Sequence, residues 1–238
     1  MSSALKLYYL SAEVAPFSST YELASFSSKI TNKLHNNPNI DIRVSQPQYG
    51  FVSERKYILR EVIRLKDMPI FFNQKQHIIN MKSSFIPETR VQVYFTENNE
   101  LYKSLSELIY KARNGRVISD IDARFSFFSK AAIDTLTNLY WAPDVLICND
   151  WQTSFIPILL KAQYRDKDFY SQMKSIYIIH SVNDYRNFSK NTYNMLDIKP
   201  NVNAEVIDNH IQAIASSNLV IAINYESSAL METIKKEK

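Results

Sequence analysis

Glycine is nearly missing from this sequence. Only Gly50 and Gly115 occur in 238 residues, where average usage of about 7% would supply many more. Phosphate-cradling loops of the G-x-G-x-x-G or P-loop type need glycine so that the backbone can approach the phosphates. A self-contained dinucleotide or nucleoside-triphosphate site of those kinds is therefore excluded. Cysteine is reduced to Cys148, which rules out an intramolecular disulfide and points to a reducing compartment. No apolar run approaches the ~20 residues needed to cross a bilayer. The N-terminus also lacks the basic segment, apolar core and small-residue cleavage site of a secretory signal. A cytoplasmic protein with no membrane partner is expected. Nor is there a strong excess of either charge: 28 Lys and Arg stand against 24 Asp and Glu, a net +4. The densest basic spots, Lys111, Arg113 and Arg116 and the tail 235–238, read as solvated loop and terminus, so no nucleic-acid partner is expected.

What is present suits one globular domain spanning residues 1–238, with 45% apolar residues to build its core. Short β-rich runs alternate with runs of helical period, the mark of β-α-β units around a parallel sheet. Strands are predicted over residues 5–11, 40–45, 91–95, 145–148, 175–180 and 219–223, and a small hairpin pairs 60–65 with 76–82. Helices are predicted on the stripe Leu23, Phe26, Ile30 and Leu34, over 123–139, over 153–163 with Pro157 in its first turns, over 206–215, and from about Tyr225, N-capped by Asn224. The polar, aromatic stretch 181–203 is the expected long loop.

In an open parallel sheet, ligands bind beyond the carboxyl ends of the strands. The residues falling there are Ser11-Ala12-Glu13, Pro47-Gln48-Tyr49-Gly50, Thr96-Glu97-Asn98, Asn149-Asp150-Trp151-Gln152 and His180-Ser181-Val182-Asn183. Carboxylates, amides and aromatic rings in one cleft suit a sugar, whose hydroxyls take bidentate acceptors and whose ring faces take flat apolar partners.

Several strings, in order along nearly the whole chain, resemble the bacterial glycogen and starch synthases. Ser11-Ala12-Glu13-Val14-Ala15-Pro16-Phe17 is similar to that family's opening strand and loop, and Pro47-Gln48-Tyr49-Gly50 to its P-x-Y-G turn. Arg124-Phe125 and the residues to Ala132 resemble its R-F-x-x-F helix. Residues 143–152 resemble P-D-x-x-H-x-H-D-W-Q, and Ile179-His180-Ser181 stands where the family has I-H-N. Ala222-Ile223-Asn224 resembles its V-S-P segment loosely. The resemblance implies an α/β fold: a Rossmann-like parallel sheet flanked by helices, the N-terminal half of a GT-B glycosyltransferase, with the small hairpin as an insertion. It implies glucosyl transfer from ADP-glucose to an α-1,4-glucan with retention, with no metal and no cofactor. The substrate-binding residues it implies are Glu13, Tyr49, Asp150, Trp151, Gln152 and His180.

Departures from the family pattern shape the expected function. The K-x-G-G-L loop, whose lysine approaches the sugar nucleotide, reads Ser19-Thr20-Tyr21-Glu22-Leu23 here. Serine replaces the lysine, and two bulky residues stand where glycines would admit close backbone approach. Ile147 and Asn149 replace both histidines of H-x-H-D-W. The donor-binding C-terminal domain is expected to be absent, and with it the charges that stabilise the leaving diphosphate. No catalytic residue is therefore assigned. The expectation is a synthase-like domain that binds α-glucan rather than ADP-glucose and is inactive or weakly active as this chain alone, a pseudoenzyme unless a partner chain supplies the donor half. The alternatives are a non-catalytic α-glucan-binding or regulatory module of glycogen metabolism, and an interaction protein that forms a homodimer.

Each assigned residue also has a structural reading. Asp150 and Trp151 are either sugar contacts or an N-cap and a packing ring; His180 is either a ligand contact or a satisfied structural imidazole. Glu13 either orients a hydroxyl or bonds the neighbouring loop backbone, and Arg124 is either a packing or ion-pair residue or a contact to an acceptor chain. Phe125, Phe128 and Leu136 belong to the core. Cys148 reads as a buried, inert thiol. His35, His77 and His210 lack ligand spacing and are assigned nothing, and no G-x-S-x-G elbow supports serine hydrolase chemistry.

Overall fold

Residues 4–105 and 108–225 are described by the structure, a computed structural model. Strand β1 (Leu5–Leu10) is buried over its last four residues and pairs in parallel with β2 (Ile40–Pro47) on one side and β7 (Val145–Asn149) on the other. Beyond β2 lies β6 (Gln92–Glu97), and beyond β7 lie β8 (Lys174–Ile179) and β11 (Leu219–Ala222), all parallel. The chain thus runs outward from β1 to one side and returns to its other side, which makes the carboxyl ends of β1 and β7 the switch point of the sheet.

The antiparallel side of the sheet differs from the sequence expectation. The hairpin is made by β4 (Met68–Phe72) and β5 (Lys75–Phe85), while 60–65 supplies only a two-residue strand β3 (Arg60–Glu61) on the far side of β5. Pro69 hides β4 in the sequence, since proline argues against a paired strand, yet here it sits at an outer, exposed position. The turn is Asn73-Gln74 with both φ positive, 49° and 60°, a glycine-free version of the two-residue hairpin turn.

Helix α1 (Glu22–His35) turns Leu23, Ala24, Ser27 and Thr31 inward. The predicted stripe is therefore rotated: Phe26, Ile30 and Leu34 lie at its half-buried margin, because the small residues let the helix rest close on the sheet. A short helix α2 (Glu54–Tyr57) follows β2. The predicted 123–139 helix is two, α3 (Ile121–Asp134) and α4 (Leu136–Leu139), the second stopped by Tyr140 at φ 50°. Helix α5 (Phe155–Leu159) continues as a π-helical turn over Leu160–Tyr164.

The expected long loop contains a 3-10 turn at Asp184–Arg186, strand β9 (Asn187–Ser189) and helix α6 (Lys190–Met195). Residues 206–215 split into β10 (Val206–Asp208), which pairs with β9, and α7 (Asn209–Ser216). Asp208 makes that division, since its carboxylate accepts the His210 N–H and caps the helix. The terminal helix predicted from Tyr225 lies outside the described residues.

Candidate functional site

Beyond β7 the backbone makes a sharp turn at Asp150, whose φ of 59° is in the left-handed range. That turn aims its carboxylate at the end of β8. Oδ1 accepts the N–H groups of His180 and Ser181, each at 3.1 Å, and Oδ2 accepts the Ser181 hydroxyl at 2.6 Å. His210 approaches from α7: its Nε2 lies 2.8 Å from the Ser181 carbonyl and 3.8 Å from Asp150 Oδ1, and its Nδ1 lies 2.6 Å from the Tyr177 hydroxyl. Asp150 is thus a clasp that fixes where the β8 strand releases its chain.

That release point places His180, which is 4% exposed. Asn149 Nδ2 donates to the Leu10 carbonyl at 2.9 Å, which orients its amide. Its Oδ1 then faces His180 Nε2 at 3.0 Å and accepts the Tyr9 hydroxyl at 3.0 Å. An amide oxygen only accepts, so Nε2 carries the proton, and Nδ1 accepts from the Tyr225 hydroxyl at 2.6 Å. Burial holds the imidazole down to about 4 from its ordinary 6.5, against the opposing pull of Asp150. It is a neutral, fully engaged ring with Phe26 edge-on at 5.0 Å.

On the β1 side, Glu13 is fully buried. Its Oε1 accepts the Tyr110 hydroxyl at 2.7 Å and its Oε2 accepts the Thr20 N–H, so the carboxylate ties the loop before α1 to a loop some ninety residues on. Burial pushes its pKa up, and the bonds from Tyr110 and Thr20 oppose that. Gln152 Nε2 donates to the same tyrosine oxygen at 2.9 Å. Trp151 is 2% exposed and packs in an aromatic cluster, edge-on to Phe125 at 5.1 Å and stacked on Tyr185 at 5.5 Å.

Tyr49 is buried behind the β1 loop, donating to the Ala12 carbonyl at 2.8 Å and stacked on Phe51. Gly50 beside it has a steric role, because a Cβ there would lie 2.3 Å from the Lys103 carbonyl oxygen. Arg124 forms a two-pronged pair with Asp120, both bonds at 2.8 Å. Cys148 is buried, and burial pushes its thiol pKa up. Among the described residues no three His, Cys, Asp or Glu side chains gather as a metal-holding group, and no helix is long and apolar enough to cross a membrane.

Five of the six assigned residues, Glu13, Asp150, Trp151, Gln152 and His180, meet at the switch point; Tyr49 lies behind it. Tyr110 and Tyr225 carry no site signal in the sequence, His210 is assigned nothing there, and Ser181 is named only as a neighbour of His180. Their partners lie about thirty to a hundred residues away, and no local spacing marks them. Asn149 is named in the sequence as a strand-end residue and a lost histidine, and in the fold its Oδ1 fixes the His180 tautomer.

A parallel sheet that reverses its winding beside such a polar edge is the architecture of one half of a GT-B glycosyltransferase. The catalytic domain of starch synthase IV from Arabidopsis thaliana, solved bound to ADP and acarbose, superposes with a TM-score of 0.74 over 92% of this chain and 44% of that one, at 19% identity. The family model described as the starch synthase catalytic domain matches residues 6–231, and the chain belongs to that family. Relatives include the glycogen synthase of Chlorobium luteolum, 34% identical over 181 residues, which cover 76% of this chain and 36% of the relative. The glycogen synthase of Desulforudis audaxviator is 32% identical over 206 residues, covering 82% and 38%. The chain thus spans little more than a third of the length of these relatives.

Proposed function

We propose that these 238 residues form the glucan-holding half of a cytoplasmic glucosyltransferase of the starch and glycogen synthase type, and that as a polypeptide on their own they bind α-1,4-glucan without transferring glucose from ADP-glucose. The observation that carries this reading is the loop before α1. Glu13 holds it through the Thr20 N–H, Tyr21 lays its ring against Tyr110 at 5.3 Å, and α1 opens with Glu22 in its first turn. A helix N-terminus attracts anions through its free N–H groups. Here the Glu13 carboxylate lies directly behind the loop. A diphosphate meets like charge there and no lysine, whereas a neutral sugar meets neither obstacle.

In this reading Asp150, His180 and Gln152 form the cleft floor, Glu13 fixes its near wall, and Trp151 and Tyr49 support it from behind. Transfer requires a donor-binding half, whose charges carry the leaving diphosphate. A second reading, a non-catalytic glucan-binding or regulatory module, is favoured by one observation: the bonds of Asp150, His180 and Asn149 are directed at one another, as in a scaffold rather than a reactive centre. Calorimetric titration with maltoheptaose and then ADP-glucose, beside a labelled-glucose transfer assay, tests the proposal. Heat with maltoheptaose alone and no transfer is the expected result; incorporation of glucose into glucan by this polypeptide overturns it.

A further inference from the structure

One exposed ring stands at the switch point of the sheet. Tyr21 is 45% exposed, and its side chain makes no capping bond to α1. Beneath it lies Tyr110, 2% exposed, with ring centroids 5.3 Å apart and planes inclined at 37°. Tyr110 cannot swing away, because its hydroxyl is held by Glu13 at 2.7 Å and by Gln152 at 2.9 Å. Half-buried Tyr185 also lies against Tyr110, 6.3 Å away at 31°, and is itself stacked on Trp151. Two accessible tyrosines thus share a rigid aromatic base at the switch point. Polar groups rim it, with Asn183 donating to the Ser181 hydroxyl at 3.0 Å beside Tyr185.

We propose that Tyr21 and Tyr185 form a stacking platform for the pyranose faces of an α-1,4-glucan, and that Tyr21 is the residue that sets the preference of this cleft for neutral sugar over nucleotide. The proposal rests on the reading that the cleft holds glucan. Flat C–H faces of a sugar and the negative faces of aromatic rings are complementary, and aromatic side chains offer that area at little entropic cost because they have only two rotatable bonds. Charge selects the occupant. Glu13 is bonded to Tyr110 directly beneath the platform, so a phosphorylated ligand is repelled where a neutral polyol is not.

The test uses the full chain with Tyr21→Ala, Tyr21→Phe and Tyr185→Ala, titrated with maltoheptaose by calorimetry and by the emission of Trp151. Trp141, at the opposite end of β7, is unaffected by binding at this edge. Thermal melts within about 2 °C of the parent certify the fold. Tyr21→Ala is expected to weaken maltoheptaose at least tenfold and abolish the emission change. Tyr185→Ala is expected to weaken it about threefold or more, and Tyr21→Phe to stay within about twofold. If the parent binds maltoheptaose and Tyr21→Ala binds it equally well, the platform is wrong while the glucan reading stands. If the parent does not bind maltoheptaose, both fall. If adenosine binds in its place with the same dependence on Tyr21, the platform serves a nucleobase and the proposal is overturned.

Discussion

His180 makes the stability of this domain depend on pH in a way that one substitution should expose. Its imidazole is held down to about 4 by burial, from an ordinary 6.5. Between those values the unfolded chain binds a proton that the folded chain refuses, so stability rises with pH across the window and falls as the solution is acidified. One pKa unit corresponds to about 1.4 kcal/mol, so the full difference is about 3 kcal/mol, of which about 2 kcal/mol is lost between roughly pH 7 and pH 5. Other groups titrate in that range, which is why the comparison needs a partner. His180→Gln keeps an amide N–H for Asn149 but has no proton to gain. Urea unfolding of both proteins at about pH 7 and pH 5 isolates the histidine as the difference of differences. The expected outcome is a less stable variant at the higher pH whose deficit shrinks by about 2 kcal/mol at the lower one. Equal pH dependence in the two proteins would refute the assignment of a buried, neutral ring.

Two further changes probe the backbone of the same edge. Gly50→Ala forces a methyl to within 2.3 Å of a main-chain oxygen that cannot rotate away; a loss of about 2 kcal/mol is expected, read as a melting temperature lower by about 5 °C, with the Gly115→Ala variant as a comparison for the left-handed backbone alone. Asp150→Ala strands the buried His180 N–H and the half-buried N–H and hydroxyl of Ser181 while keeping a positive φ. It should cost about 3 kcal/mol in urea unfolding, and a variant as stable as the parent would show that the clasp does not hold the β8 loop.

The parallel strands were legible because each is a short β-rich, largely apolar run, and the switch point follows from their order. The polar residues beyond their ends could be named for the same reason. What the sequence hid was partnership. Glu13 depends on Tyr110, and Asp150 on Ser181 and His210, through contacts that only the folded sheet creates. The buried face of α1 is hidden in the sequence because a stripe of Ala24, Ser27 and Thr31 carries little hydrophobic signal, although small side chains are what allow close helix-to-sheet contact. The hairpin was misplaced because its turn uses Asn and Gln, where glycine is the usual signal.

Scarcity of glycine then acquires a physical meaning. Eight non-glycine residues among those described adopt positive φ, Asn73, Gln74, Tyr140 and Asp150 among them. Left-handed backbone costs a residue with a Cβ about 1 kcal/mol, a penalty that packing and turn bonds can offset one position at a time. A steric conflict with main-chain atoms has no such remedy, and Gly50 occupies the place where that conflict would arise. The loop before α1 falls in neither class. Tyr21 is extended, at φ −130° and ψ 172°, and Glu22 begins the helix. Neither backbone conformation requires glycine, so the bulky residues there impose no strain, and restoring glycine would gain no conformational relief. What they change is chemistry: an exposed ring and an acidic residue stand at the start of α1 in place of two residues without side chains. On the proposed reading, the difference between this chain and the pattern it resembles lies in which ligand the loop admits.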